Sequence, residues 1–234
     1  MRLSGKLATT ALVLASAVAA QAALITGGTG TVSPSLTNFN ESMVFNRFDT
    51  TIGTLDAVEI HAQSGVASDV ELINISKPVT KTITLNGKIF TQTRAQAADG
   101  VAYTQVLFNF LVGGSNVMSY TVKTGSASYA LPAKDDSTAT GQLDGDSGDQ
   151  SVSLTAPALL NVFKGSGSIS ANSDAASSVI WVPDATNNGL VATNDFTAAD
   201  MTVTIIYHYT PVPEPTTLGL LGLGALFLGR RRNA

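Results

Sequence analysis

The chain contains no cysteine among its 234 residues, so disulfides, thiolate metal sites and lipidation or palmitoylation of a thiol are all excluded. Charged side chains are scarce at 13% of residues, and the apolar fraction of 44% is too high for a chain kept unfolded by charge. Histidine occurs twice, which leaves little material for a zinc centre, and tryptophan once. No uninterrupted apolar run reaches the roughly 20 residues that span a bilayer comfortably. Between Ala23 and Pro211 there are 16 acidic and eight basic residues, and no basic patch, which argues against a nucleic-acid partner.

The two ends are the most informative segments. Residues 1–22 begin with Arg2 and Lys6, continue with an apolar stretch from Leu7 to Ala20, and close on Ala20-Gln21-Ala22. A basic start, a short apolar stretch and a small-x-small site in that order predict a signal peptide cleaved after Ala22. At the other end, Thr216 to Gly229 is a 14-residue run without charge, followed by Arg230, Arg231 and Arg232. As a helix it would measure about 21 Å at ~1.5 Å per residue, short for a permanent span, with the arginines held on the cytoplasmic side. Pro213 and Pro215 fit neither a helix interior nor a central strand, and predict an extended, accessible approach to that run.

The sequence between Ala23 and Pro211 has a period of two. Met201, Val203, Ile205, Tyr207 and Tyr209 alternate with Thr202, Thr204, Ile206 and His208, and Val58, Ile60 and Ala62 alternate with Glu59, His61 and Gln63. Asn86-Gly87 between apolar runs predicts a tight hairpin, and Gly113-Gly114-Ser115-Asn116 predicts another between Val106–Val112 and Met118–Val122. Leu154–Phe163 is the best stretch for one short helix. The expected fold is all-β, an antiparallel, jelly-roll-like sandwich over residues 23–211, flanked by the signal peptide at 1–22 and a hydrophobic sorting helix within 212–234.

Few residues offer chemistry. His61 and His208 read as strand residues on a solvated face, with no HExxH or third ligand for zinc. Gly27-Gly28-Thr29-Gly30 and Gly165-Ser166-Gly167 lack the Lys-Ser/Thr ending of a phosphate loop and read as flexible strand ends. Asp144, Asp146 and Asp149 are expected on a glycine-containing acidic loop and are the candidate for calcium, the only cofactor considered, although Gly148 and Thr155 break the EF-hand template. Trp181 is the candidate for stacking on a sugar ring, against the alternative of a core tryptophan. Asn40-Glu41-Ser42 and Asn74-Ile75-Ser76 have the form of glycosylation sequons. No catalytic set emerges.

Val212-Pro213-Glu214-Pro215, the Leu/Gly run from Leu218 to Leu228 and Arg230-Arg231-Arg232 together resemble the PEP-CTERM sorting signal of Gram-negative bacteria. That resemblance implies recognition at Pro-Glu-Pro by an exosortase, an integral-membrane enzyme, with passage through the inner membrane to the cell surface or an exopolysaccharide matrix. Phe48-Asp49, Gly53-Thr54-Leu55, Phe163-Lys164-Gly165-Ser166-Gly167 and the strand from Val203 to Tyr209 resemble the choice-of-anchor E domain, with residues 95 to 150 outside the match. This second resemblance implies a β-rich extracellular domain and no particular activity. The expectation is therefore an exported, non-enzymatic surface or matrix protein; the rivals are a carbohydrate-binding module for the exopolysaccharide and a secreted hydrolase.

Overall fold

A computed structural model describes residues 22–212 except Asn86, Ala95, Gln96 and Leu190. Period-two patterning becomes strand almost throughout. The larger sheet holds β1 (Ala23–Leu36), β3 (Gly53–Gln63), β4 (Gly65–Asn74), β10 (Ser137–Ala139), β11 (Leu143–Asp146), β12 (Gln150–Leu154) and β14 (Val191–Pro211). The smaller holds β2 (Phe39–Asn46), β7 (Ala98–Val112), β8 (Ser115–Lys123), β9 (Ala127–Leu131) and β13 (Ser168–Asn188). All the ladders are antiparallel. A separate hairpin, β5 (Val79–Leu85) and β6 (Lys88–Arg94), forms its own two-stranded sheet.

Register reduces these strands to fewer, longer ribbons. Gln63 faces Thr202 and Val66 faces Ala199, so β3 and β4 run as one line along β14. The short strands β10, β11 and β12 follow one another along the far edge of that line, and β8 and β9 do the same along β7. In these terms the larger sheet is ordered β1, β14, β3–β4, β10–β12, and the smaller β2, β13, β7, β8–β9.

The inner faces carry the core. Val58, Ile60, Met201, Val203, Ile205 and Tyr207 from one sheet meet Phe45, Val106, Phe108 and Phe110 from the other, all at most 1% exposed. Ring contacts brace the inner face of the smaller sheet, with Phe45 edge-on to Phe110 at 5.9 Å and Phe108 stacked on Tyr120 at 5.5 Å. On β13 the inward residues Ala171, Ser173 and Ala175 are small, which leaves room for the bulky side chains of β7 and β14. A second cluster of Val70, Leu72, Ala98, Ala102, Tyr129, Leu131 and Val191 fills the end away from the chain termini. Between the two lies a hydroxyl belt: Ser68 contacts Thr104 at 2.7 Å across the sheets and Thr197 at 3.2 Å, and the Thr104 N–H donates to Thr124. Each hydroxyl of this belt thus has a partner in place of water.

Both expected hairpins are present. Leu85 pairs with Lys88 across a two-residue turn with Gly87 at φ 75°. Gly113 and Gly114 alone make the second turn, at φ 59° and 81°, while Ser115 and Asn116 already belong to β8. The helix is shorter than expected: α1 spans Pro157–Phe163 because Pro157 supplies the fixed φ of a first turn and ends the strand before it.

Two readings of the glycines need correction. Gly27 and Gly30 lie inside β1, not at flexible ends: Gly30 is paired with Val203 of β14, and Gly27 sits at the bulge between the Thr26 and Gly28 pairs. A Cβ at Gly27 would come 2.8 Å from the Tyr207 ring, and one at Gly30 within 2.8 Å of Met43 Sδ, so the missing side chains admit core residues. The Asp144–Asp146 stretch is likewise strand rather than loop. Gly145 lies against the Lys123 carbonyl, where any Cβ would collide.

Truncating Phe110 to alanine is expected to cost about 3–5 kcal/mol in urea unfolding, as for other large buried aromatics. The outward Leu107, 42% exposed on the same strand, should cost less than about 1 kcal/mol when truncated. Similar losses at the two positions would contradict the inner and outer faces assigned to β7.

Candidate functional site

The two ends of the described body meet. Ala23 is paired with Tyr209 and Leu24 with His208, so the first residue after the expected cleavage point lies about 5.5 Å or less from Tyr209, near the end of β14. Ala22 is exposed beside it. Val212, 57% exposed, is held by its N–H donating to the Ile52 carbonyl at 3.1 Å, and Thr210 donates to Asp56 at 2.7 Å. Pro213 is therefore bonded directly to a residue anchored on the sandwich, with no linker between. Ala20, Pro213, Glu214, Pro215, Arg230, Arg231, Arg232 and the expected sorting helix lie outside the described residues. Among the described residues no helix is long and apolar enough to cross a membrane.

The same end has an aromatic base. Phe48 packs against Tyr207 at 5.8 Å and Tyr209 at 5.2 Å, and Phe163 lies 6.3 Å from Tyr207. The Phe48 N–H donates to the Phe163 carbonyl and the Gly165 N–H to the Phe48 carbonyl, clipping α1 to the loop after β2. Burial pushes the Tyr207 hydroxyl up to about 12, and it donates to the Asn46 carbonyl at 2.6 Å. Gly53 passes under Tyr209 and the Thr210 carbonyl, where a Cβ has no space. Phe48, Gly53, Phe163, Gly165 and Tyr207 are distant in sequence and become one structural unit here.

A second constellation was not legible in the sequence. His61 on β3 is held between Asp149, whose Oδ2 is 2.9 Å from Nδ1, and Glu59, whose Oε1 is 3.1 Å from Nε2. The other oxygen of Glu59 is 2.9 Å from His208 Nε2 on β14. The result is an alternating row of carboxylates and imidazoles across β14, β3 and the residue that leads into β12. It borders a shallow concavity of about 300 Å³ lined by His61, Gln63, Asp149, Thr202, Thr204 and Ile206. Both histidines are on the solvated face, as their alternation predicts. The Asp149 hydrogen bond, and then the charges of Asp149 and Glu59, raise the pKa of His61 above its ordinary 6.5 despite some opposing burial. The His208 hydrogen bond is the main cause that lowers Glu59 below 4.5.

The calcium candidates go to separate partners. Asp144 accepts from Gln142 Nε2, Asp146 accepts from the Gly148 N–H, and Asp149 serves His61. Among the described residues no group of three or more His, Cys, Asp or Glu is placed to hold a metal ion. Trp181 is half-buried on the inner face of β13, packed against the second core cluster. Asn74 is fully buried, donating to the Leu131 carbonyl and accepting from the Ser76 N–H, while Asn40 is exposed on β2.

The histidine row gives a pH signature. His61 holds its proton more tightly folded than unfolded, so its contribution is full below 6.5 and is lost as pH rises through its raised value. Glu59, lowered on folding, contributes above 4.5 and loses that contribution as pH falls through its folded value. Replacing His61 with Gln should therefore lower Tm most between those two values, by at most about 2–4 °C because the pairs are solvent-screened. Thermal melts of both proteins across pH check this; a difference that grows above the titration of His61 would contradict it.

Comparison with known proteins places one segment. The PEP-CTERM protein-sorting motif matches residues 211–233. No curated protein matches the chain. Among solved structures the chain is similar to that of the infectious bursal disease virus Gx strain, at 11% identity and TM-score 0.14, covering 91% of this chain and 48% of that one. The Gt strain structure gives 8% identity, 90% and 49% coverage and TM-score 0.14. The VP2 subviral particle of the same virus gives 9%, 91%, 50% and 0.14. The chain spans about half the length of these structures. The motif at 211–233 marks the chain for exosortase-dependent, membrane-associated sorting to the cell surface, and it begins at the last residue of β14.

Proposed function

We propose that this protein is an exported, non-enzymatic component of the cell surface or extracellular matrix of a Gram-negative bacterium, associated there with exopolysaccharide or biofilm. Its body would be a rigid module, and its two ends would be processed at a single membrane-facing end of that module. The observation that carries this reading is the pairing of Ala23 with Tyr209, three residues before the Val212 that precedes Pro-Glu-Pro. A signal peptide at 1–22 and a sorting segment from 212 would then enter the same membrane side by side, both with basic residues on the cytoplasmic side.

The finer architectural reading rests on ribbon order. Eight ribbons divide four and four between the sheets, in the orders β1, β14, β3–β4, β10–β12 and β2, β13, β7, β8–β9. Successive ribbons change sheet at every step but one, from β7 to β8–β9, which is the pattern of a jelly roll. The choice-of-anchor E reading of the body draws support from the convergence of Phe48, Gly53, Phe163 and Tyr207 at the processed end. The non-enzymatic reading rests on the open, solvated setting of the histidine row. Packing of Trp181 against the inner cluster leaves the carbohydrate-binding module without its sequence-level anchor.

Replacing Arg230, Arg231 and Arg232 together by Ser should reduce surface delivery about tenfold or more, because orientation in the membrane depends on those charges. Fractionation of host cells into inner membrane, surface and medium measures it. Unchanged delivery of the triple variant would contradict the sorting reading.

A further inference from the structure

Charge in the body is divided between two places. Residues 77–94 carry Lys77, Lys81, Lys88 and Arg94 and no acidic residue. The remainder of 23–211 has 16 acidic residues against four basic ones. This segment holds Lys77 and, from Val79, the β5–β6 hairpin, which among the described residues joins neither sheet. Lys77 and Lys88 are exposed, and Ile89 is 71% exposed on the side it shares with Thr82 and Thr91. At seven residues per strand the hairpin reaches about 23 Å at ~3.3 Å per residue.

The outer face of the larger sheet offers its complement. Phe196, 64% exposed, is paired with Asp69 on β4, and with Glu71, Ala139 and Asp195 they line a concavity of about 380 Å³. A lone aromatic on a rim of carboxylates is a seat for a cationic, partly apolar segment. Asp69 and Glu71 are also exposed, so the hairpin of the same chain leaves this seat open. Hairpin and seat lie toward the same end of the sandwich, opposite the chain termini, since β4 runs through Asp69 and Glu71 to Asn74 just before the hairpin. Two surfaces at one end of a molecule are satisfied together by a two-fold arrangement, in which each copy gives its hairpin and receives the other's.

We propose that two copies of this chain associate through this end, the β5–β6 hairpin of each seated on the Asp69–Glu71–Phe196 face of the other. The pairing leaves the processed ends free at the opposite pole. Opposite charges draw the copies together and the Ile89–Phe196 contact supplies the apolar part, so the association weakens with salt.

The absence of cysteine makes the test clean. Two full-length versions, Ile89→Cys with one tag and Phe196→Cys with another, are co-expressed in the host and treated with a short bismaleimide. A product carrying both tags is expected. Its yield should fall about tenfold when Lys77→Glu and Lys88→Glu are added to the first version. It should recover when Asp69→Lys and Glu71→Lys are added to the second. No product with both tags, although both versions are on the surface, would overturn the proposal. Equally contrary would be a double Cys variant that links only within one chain, or cross-linking that disappears when matrix polysaccharide is digested, since a polymer would then be the bridge.

Discussion

Everything in this fold leans on the ladder between β14 and the line made by β3 and β4. Nearly every residue of a 21-residue strand is paired on that edge, and β1 occupies most of the other. Those hydrogen bonds are satisfied only if the inward side chains from Val191 to Tyr207 all fall on the same face, because a slip of one residue would turn the whole set outward. The hydroxyl belt of Ser68, Thr104 and Thr197 adds a second check, as its partners come from both sheets and lose their bonds if either sheet slides. Placing Ala23 beside Tyr209 is a consequence of the same ladder.

Much of this was legible in the sequence. Alternation in 58–63 and 201–209 identified inner and outer faces correctly, and the two glycine turns marked their hairpins. Beyond that, sequence reasoning met limits with physical causes. Gly27, Gly30 and Gly145 look like loop residues because nothing local tells a glycine that bends the chain from one that admits a neighbour. Tyr207, Met43 and the Lys123 carbonyl are the neighbours, and each is remote in sequence. The histidine row was missed for a related reason. Glu59 and His61 share a strand visibly, but Asp149 and His208 reach them only through cross-strand register. Trp181 was ambiguous because its run, Ile180-Trp181-Val182, is apolar on both faces; position on β13 resolved it toward the inner cluster.

The molecule is polarised along its length. At one pole the chain enters and leaves beside the Phe48–Phe163–Tyr207–Tyr209 rings, and the sorting motif starts where the sheet stops. The cationic hairpin and the second core cluster belong to the other pole. On the proposed reading a rigid antiparallel body suits that division, since it would keep the ends to be processed at the membrane apart from the hairpin pole.

The central claim is that both ends are processed, and the intact mass of the protein recovered from its own host tests it most directly. The account predicts a species that starts at Ala23 and ends within Pro213–Pro215. A mature species that still carries Arg230, Arg231 and Arg232 would contradict it, because the apolar run would then be a standing anchor and not a signal removed on delivery.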